Sequence, residues 1–443
     1  MRPALALSIL CACAHGGTGR LVPTEDVDDP AARSAEVASA LDGYHASYKL
    51  TWNGQRIGDA RERFAADADA LGGWRFERTE HVAVRRAGAV ANARTRVVIE
   101  TDVRLLARRV TVERWVGATR TTGTAQRLRD DGWEVRFGAG PPRLVDGAAV
   151  PSTLVPLLVA SGGVAPGRAF AAPVLVEGAG LAVAHLALDI APDRHRALAQ
   201  VTTAAGPLRA EAALDDRGYL QSAGGAVGLG SERVTAAAVD DPFEPPEIVE
   251  SNAIAVAGPA DAPGAALRLR IHDVAGAPAA LPDLAMQHVL VEPAGDWDID
   301  VDRSVAPRAK DALADVRART HHVAETLGND MAVAALAPDE ALAAGRGDCT
   351  AHAVVLAADL AARGYPARLV TGYLFQNGAL RRHRWVLVQL GAGWLPVDPM
   401  LDEVPASPAH VALAVHGASL DELAFVDDVA FAGWSHARAE RVR

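Results

Sequence analysis

The chain has 443 residues, too many for one average core and suited to two or three domains. Half of them are hydrophobic and 22% are charged, which is the composition of a globular protein. A formal net charge of −11, with no basic stripe, excludes nucleic acid as a partner.

Arg2 precedes an apolar stretch from Ala4 to Ala12, followed by Cys13, Ala14 and a polar segment. A positive start, a short apolar run and small residues at the exit are features of a secretory signal. Residues 1–14 are therefore expected to be a signal peptide and the protein to be exported. Leu10-Cys11-Ala12-Cys13 also resembles a bacterial lipobox, which would attach the protein to a membrane through a lipidated Cys13. Ala12-Cys13-Ala14 fits plain cleavage equally well. The expected location is the periplasm of a bacterium or, for a lipoprotein, its outer membrane. No other stretch reaches the ~18 apolar residues of a transmembrane helix. The chain has three cysteines, Cys11, Cys13 and Cys349, so loss of the signal or lipidation of Cys13 leaves Cys349 without a thiol partner. Such a residue is either an inert core cysteine or a reactive thiol.

Residues 15–42 read as a polar tether. An antiparallel β-rich domain is expected over 43–239. His45 to Trp52 alternates and runs into Asn53-Gly54, a dipeptide that supplies the positive φ angles of a tight hairpin. Trp74 to Val84, Ala93 to Thr101 and Leu106 to Trp115 alternate in the same way. Asp131-Gly132 is a second hairpin signal before Trp133 to Phe137, and Val174 to Ile190 and Leu198 to Thr203 continue the series. Alternation of this kind gives each strand one buried and one wet face, as in a sheet that curls or packs on a second layer. Pro151 to Ala160 reads as a short helix covering the sheet. The region is expected to form an apolar concavity for a polymer or lipid, or to serve as a spacer and substrate platform.

A proline-containing linker over 240–252 leads into a second domain, 253–443. Leu267 to His272, Gln287 to Glu292 and Trp297 to Val301 read as a small β unit. A helix is expected from Pro307, near its N1 position, to Leu327, ending at Gly328.

Three segments carry chemistry. In Gly345-Arg346-Gly347-Asp348-Cys349-Thr350-Ala351-His352-Ala353, Asp348 is a good N-cap and the apolar residues that follow recur at helical spacing up to Gly364. Cys349 then falls in the first turn, where unpaired N–H groups and the helix dipole favour a thiolate. The upstream glycines would let a substrate backbone approach the sulfur. Taken alone, the cysteine could equally be a core residue. Arg381 to Val388 alternates as a strand, placing His383, Trp385 and Leu387 on one face. In Gly393-Trp394-Leu395-Pro396-Val397-Asp398-Pro399, Asp398 follows a strand-like run and would ordinarily start a turn.

In the order Cys, helix, strand, His, strand, Asp, these segments resemble the transglutaminase-like superfamily. GDCTAHA, GYPARLVTGYL, HRWVLV and GWLPVDP match four of its bacterial motifs in sequence over a core at about 300–405. The resemblance implies an α+β fold class overall: a mainly antiparallel β N-terminal domain followed by a transglutaminase-like, papain-like α+β catalytic domain. It implies a catalytic triad of Cys349, His383 and Asp398 acting on protein or peptide amides, as hydrolase or acyltransferase, with no cofactor and no metal. Cys349 would be the nucleophile, His383 the proton carrier and Asp398 its orienting acid. The backbone N–H of Cys349 would be one oxyanion donor. Trp385 and Trp394 would pack beneath the triad or line an acyl tunnel. Two positions depart from many relatives, with Leu387 and Ala351 standing where acids are common.

Arylamine N-acetyltransferases share the Cys, His, Asp order, but here Pro399-Met400-Leu401 follows the Asp in place of a Gly-Phe-Gly type segment. A catalytically inactive envelope binding module, with the β domain holding a partner, is the non-enzymatic alternative. Metal binding by Cys349 with His352 or His383 lacks a paired-ligand spacing, and His321 and His322 point to different faces of a helix. Oligomeric state has no sequence signal.

Overall fold

The computed structural model describes residues 37–442 apart from 39, 67–72, 118, 129–131, 139, 146–148, 163, 165–168, 226–227, 275–280, 283, 292–295, 303–309, 334–336, 419, 424 and 435. The expected signal peptide, lipidated Cys13 and most of the tether lie outside the described residues. So do Asp131 of the second hairpin signal and the start of the helix expected from Pro307. The described chain divides into two compact units, residues up to 84 with 92–246, and residues 85–91 with 247–443.

The first unit is built on one fifteen-stranded sheet. Its strands are β1 (His45–Trp52), β2 (Gln55–Ala66), β3 (Trp74–Arg86), β4 (Ala89–Thr101), β5 (Ala107–Val116), β6 (Thr119–Arg127), β7 (Trp133–Phe137), β8 (Arg143–Val145), β9 (Val150–Pro151), β10 (Ala169–Val176), β11 (Ala182–Ile190), β12 (Arg196–Thr203), β13 (Gly206–Leu214), β14 (Leu220–Gly225) and β15 (Leu229–Val234). The order runs from β8 down to β1, crosses to β15, and descends to β9. Neighbours are antiparallel except β9 with β10. Laid flat, fifteen strands would span roughly 65 Å. Yet the two edge strands, β8 and β9, are consecutive in sequence. The five steps from Val145 to Val150 reach at most ~18 Å, so the sheet must curl until its ends meet.

Its buried face is only partly apolar. Tyr48, Leu50, Phe64 and Phe76 lie on it, but so does Arg78, paired with both Glu62 and Glu80, and all three charged residues are buried. The stretch from Val174 to Ile190 is two strands, broken by a 3-10 turn at Glu177–Ala179 and by Gly180 with φ +71°. The short helix α1 (Val155–Ala160) lies within the expected covering segment, and its Val155, Leu157 and Leu158 are buried.

In the second unit, a nine-stranded sheet is formed by β16 (Ile254–Ala257), β17 (Ala266–His272), β18 (Gln287–Val291), β19 (Trp297–Asp302), β22 (Ala367–Gln376), β23 (Ala379–Leu390), β24 (Gly393–Val397), β25 (His410–His416) and β26 (Arg438–Arg441). Two short strands, β20 (Gly328–Asn329) and β21 (Arg346–Gly347), pair separately. The strands expected as a small separate β unit are therefore one end of this sheet. Helices α2 (Lys310–Thr326), α3 (Pro338–Ala344), α4 (Cys349–Ala362) and α5 (Val426–Ala430) also belong to the unit, with shorter helical turns at Glu250–Asn252 and Leu420–Leu423.

Helix α4 is buried along most of its length, and its Val354, Leu356 and Leu360 share a core with Val386, Val388 and Leu390 of β23. The alternate residues Trp385 and Leu387 join Met286, Val370 and Ala412 in a second core. Strand β23 is thus covered on both faces, which fixes its register without a wet side.

Gly372 of β22 pairs with His383 of β23 and, across a register shift, with Ala412 of β25. A Cβ there would meet the Val411 carbonyl oxygen at 2.0 Å and the Trp385 ring at 2.9 Å. Only a residue without a side chain lets these strands close beside His383. Gly372→Ala is expected to destabilise the protein by about 2–3 kcal/mol, read as a lower midpoint in chemical denaturation; an unchanged midpoint would refute the packing argument.

Candidate active site

Cys349 is the first residue of α4. Asp348, the N-cap, accepts hydrogen bonds at Oδ1 from the backbone N–H groups of Thr350 (3.0 Å) and Ala351 (3.2 Å). Its Oδ2 is 2.8 Å from Nη2 of Arg86. Asp348 has no exposed surface. Burial alone would raise its pKa, but the Arg86 charge and the helix amides hold it below the usual carboxylate range. His352, one turn on, reaches the Asp348 carbonyl with Nδ1 (2.9 Å) and the Leu327 carbonyl with Nε2 (3.0 Å). It ties the helix start to the end of α2 and is not placed as a ligand beside Cys349.

Arg86 arrives from a hairpin tip that belongs to this compact unit. The turn consists of Ala87 (φ +50°) and Gly88 (φ +83°). A left-handed alanine costs roughly 1–2 kcal/mol. Both turn N–H groups donate to the Glu247 carboxylate, at 3.2 and 3.1 Å, and Ile248 N–H donates to the Arg85 carbonyl at 2.9 Å. These bonds hold the tip in place despite its backbone strain.

His383 lies mid-strand in β23, with Nε2 2.6 Å from Oδ2 of Asp398. Its other hydrogen-bond partner is Cys349, which leaves Nδ1 for the sulfur. Burial would push the imidazole pKa down. The charge and hydrogen bond of Asp398, with a smaller contribution from the Cys349 sulfur, outweigh it and raise the value to about 10. Asp398 follows directly on β24 and is fully buried. Burial opposes its ionisation, but His383 and His410 hold its pKa far below the usual range. Its Oδ1 accepts from the backbone N–H of Met400 (2.8 Å) and Leu401 (3.2 Å), so its turn-starting role and its contact with His383 coexist.

Sequence reasoning missed His410. Its Nε2 lies 2.9 Å from the same Asp398 Oδ2, and its Nδ1 lies 2.9 Å from the Ser407 carbonyl. Trp385 stacks on His383 at 6.2 Å and meets His410 edge-on at 5.0 Å. Trp394 packs, half-buried, against the same cluster. The ligand atoms of His383, Asp398 and His410 lie within 4.8 Å of one another, close enough for a metal, but each is already engaged in these hydrogen bonds.

Three other sequence features find structural causes. Gly345 (φ +63°) ends α3 in the left-handed conformation, and a Cβ on Gly347 would meet the Ala351 Cβ at 2.2 Å. Gly345 is thus required by its backbone conformation and Gly347 by packing against α4. Ala351 and Leu387 are buried in core clusters, so neither position faces a substrate. Arg384 donates to Thr371 Oγ1 (3.1 and 2.9 Å) and to Thr350 Oγ1 (3.2 Å), and it also pairs with Asp427, clamping the residue after Cys349 to β22 and α5.

Cys349 and His383 open onto a cleft with about 490 Å³ of empty space, its open mouth included. Met331, Thr350 and Phe431 also line it.

With this geometry in view, residues 300–399 match the family model of the transglutaminase-like superfamily. That segment belongs to the superfamily. No curated protein sequence matches the chain. Among solved structures, a β-barrel-like protein of a domain of unknown function from Brucella abortus is 14% identical, covering 44% of this chain and 95% of its own, with a TM-score of 0.32. A candidate cysteine protease from Cytophaga hutchinsonii is 14% identical, covering 43% and 85%, with a TM-score of 0.24. Likenesses this distant decide neither fold nor function for the chain. The family that residues 300–399 match suggests a cysteine hydrolase or acyltransferase kind of enzyme.

Two predictions follow from the charges. The folded-state pKa of His383 lies above that of an unfolded histidine, so its stabilising contribution is complete below pH 6.5 and is lost as the pH rises toward 10. Wild type should lose unfolding free energy across that window more steeply than His383→Gln, and parallel slopes in denaturant titrations would refute the assignment. His410→Ala leaves Asp398 with one imidazole and should lower stability by about 1–3 kcal/mol while slowing alkylation of Cys349. If neither changes, His410 has no part in holding Asp398.

Proposed function

We propose that the protein is an exported transglutaminase-like thiol enzyme that cleaves or transfers acyl groups at amide or peptide bonds. The observation that carries the reading is the buried line from Asp398 through His383 to Cys349 at the wall of an open cleft. The catalytic residues are Cys349, His383 and Asp398, on a papain-like α+β domain.

In the first half-reaction the Cys349 sulfur attacks the substrate carbonyl, forming a C–S bond. The C–N bond then breaks as the imidazolium of His383 delivers its proton to the leaving amine. In the second half, water or an acceptor amine attacks the thioester, gives a proton to His383, and releases the thiolate. Asp398 holds the imidazole in one orientation and stabilises its charged form, while His410 fixes the carboxylate. The Cys349 N–H, at the start of α4, is one donor to the oxyanion. A signal peptide over 1–14, with cleavage or lipidation at Cys13, would deliver the enzyme to the periplasm or outer membrane.

The test is the rate of Cys349 alkylation by iodoacetamide against pH, followed by a screen of amide donors with and without amine acceptors. Alkylation should persist well below the ~8.5 at which a free thiol ionises. His383→Ala should abolish that acid limb, and Asp398→Asn should weaken it. A free-thiol profile that is indifferent to both substitutions would leave the inactive binding module as the better account.

A further inference from the structure

The walls of the cleft beside Cys349 carry three arginines, Arg86, Arg382 and Arg384, against a single acidic residue, Asp427. Asp427 is engaged by Arg384. Arg86 is 4% exposed and gives one N–H to Asp348, but its buried Nε has no hydrogen-bond acceptor among the described residues. A buried donor left unpaired costs about 1–3 kcal/mol, and such groups are ordinarily completed by water, an ion or a ligand. Asp348 takes only the Nη2 of Arg86 at Oδ2, while its Oδ1 holds the two α4 amides, so the Nε is left without that partner.

Arg382 is held over the Phe431 ring at 4.3 Å, on the same wall. Burial pulls its pKa below the usual arginine value, against the opposing effects of Tyr373, Asp427 and Asp428. Each of these arginines therefore has a carboxylate near it, Asp348 for Arg86 and Asp427 for Arg384 and Arg382, and what the cleft offers a ligand is the unused Arg86 Nε–H.

Resting on the thiol-enzyme reading, we propose that this cleft is an anion subsite. In it Arg86, flanked by Arg382 and Arg384, receives a carboxylate carried by the acyl donor next to the amide that Cys349 attacks. A planar guanidinium matches a carboxylate with its N–H donors, and a cationic side chain has no acceptor to offer the unpaired Arg86 Nε–H. Donors of this class are peptides with an acidic side chain or a terminal carboxylate adjacent to the scissile bond.

The experiment compares iodoacetate with iodoacetamide on Cys349 of the full-length protein. A simple thiolate repels the carboxylate of iodoacetate and reacts faster with the amide. The subsite should reverse that bias, raising the iodoacetate-to-iodoacetamide rate ratio about tenfold or more over free cysteine. The iodoacetate rate should also saturate with concentration. Arg86→Gln should lose most of the gain and Arg86→Lys should retain part of it. If Arg86→Gln does not fold, the wild-type protein still decides: acetate, and not acetamide, should slow alkylation by iodoacetamide. Protection by inorganic phosphate without protection by acetate would overturn the carboxylate assignment. A ratio equal to that of free cysteine, with rapid iodoacetamide alkylation dependent on His383, would overturn the subsite and leave the enzyme reading standing. A reversed ratio unchanged in both Arg86 variants would assign the effect to His383 and likewise overturn it. A thiol inert to both reagents would remove the proposal and the enzyme reading together.

Discussion

Asp348 carries a negative charge with no exposed surface, one residue before the sulfur, and the start of α4 is arranged around that fact. The helix needs the carboxylate, because a cap that accepts from two backbone N–H groups contributes about 1 kcal/mol. The sulfur does not, since an adjacent buried anion opposes formation of a second one. Arg86 resolves the conflict by pairing with the oxygen that the helix leaves unused. With the cap neutralised, the remaining anchors can act on position alone. His352 ties the first turn to the Leu327 carbonyl, and Arg384 ties Thr350 to Thr371. The sulfur is therefore fixed by contacts on several sides, none of which it makes itself.

The opposite end of the site works by accumulation rather than by neutralisation. One oxygen of Asp398 serves two imidazoles, and the other is held by the backbone of the turn that follows β24. Gly372 lets β25 approach closely enough to bring His410 to that oxygen, while Trp385 packs against both imidazole rings. The hydrogen-bonded line is enclosed by close packing, with His383, Asp398 and His410 all buried.

What could be read from the residue order follows from the range of the interactions involved. Asp348 as a cap, Cys349 in a first turn and the two faces of β23 are local matters, decided within a few residues, and GDCTAHA and HRWVLV carry them openly. Arg86 and His410 are not local. Arg86 takes its place through a partner 262 positions away, and His410 through Asp398, twelve positions back across the turn before β25, and nothing near either residue marks it. The two glycines before Asp348 were legible as glycines, but their cause lies in the end of α3 and in Ala351, which only packing reveals. Among the strands, β6 was hidden because it reads TRTTGTAQR and turns Thr121 and Ala125 inward where a larger apolar residue would have shown the alternation. The polar interior around Arg78 was hidden for the same reason: buried charge looks like surface charge until its partners are found.

The hairpin tip at residues 85–91 also bears on inheritance. The segment recognisable as transglutaminase-like spans residues 300–399, yet the cation that neutralises its helix cap is encoded more than two hundred residues upstream. A gene fragment cut to the recognisable segment would carry Cys349 and the Asp348 cap without the Arg86 counter-charge. Recombination could not move this domain into a new protein as a free-standing cassette; the strand pair that ends in Arg86 would have to travel with it, or an unrelated cation would have to be found in the new host. Loss of Arg86 would thus be felt at the cap of α4, in a distant part of the sequence.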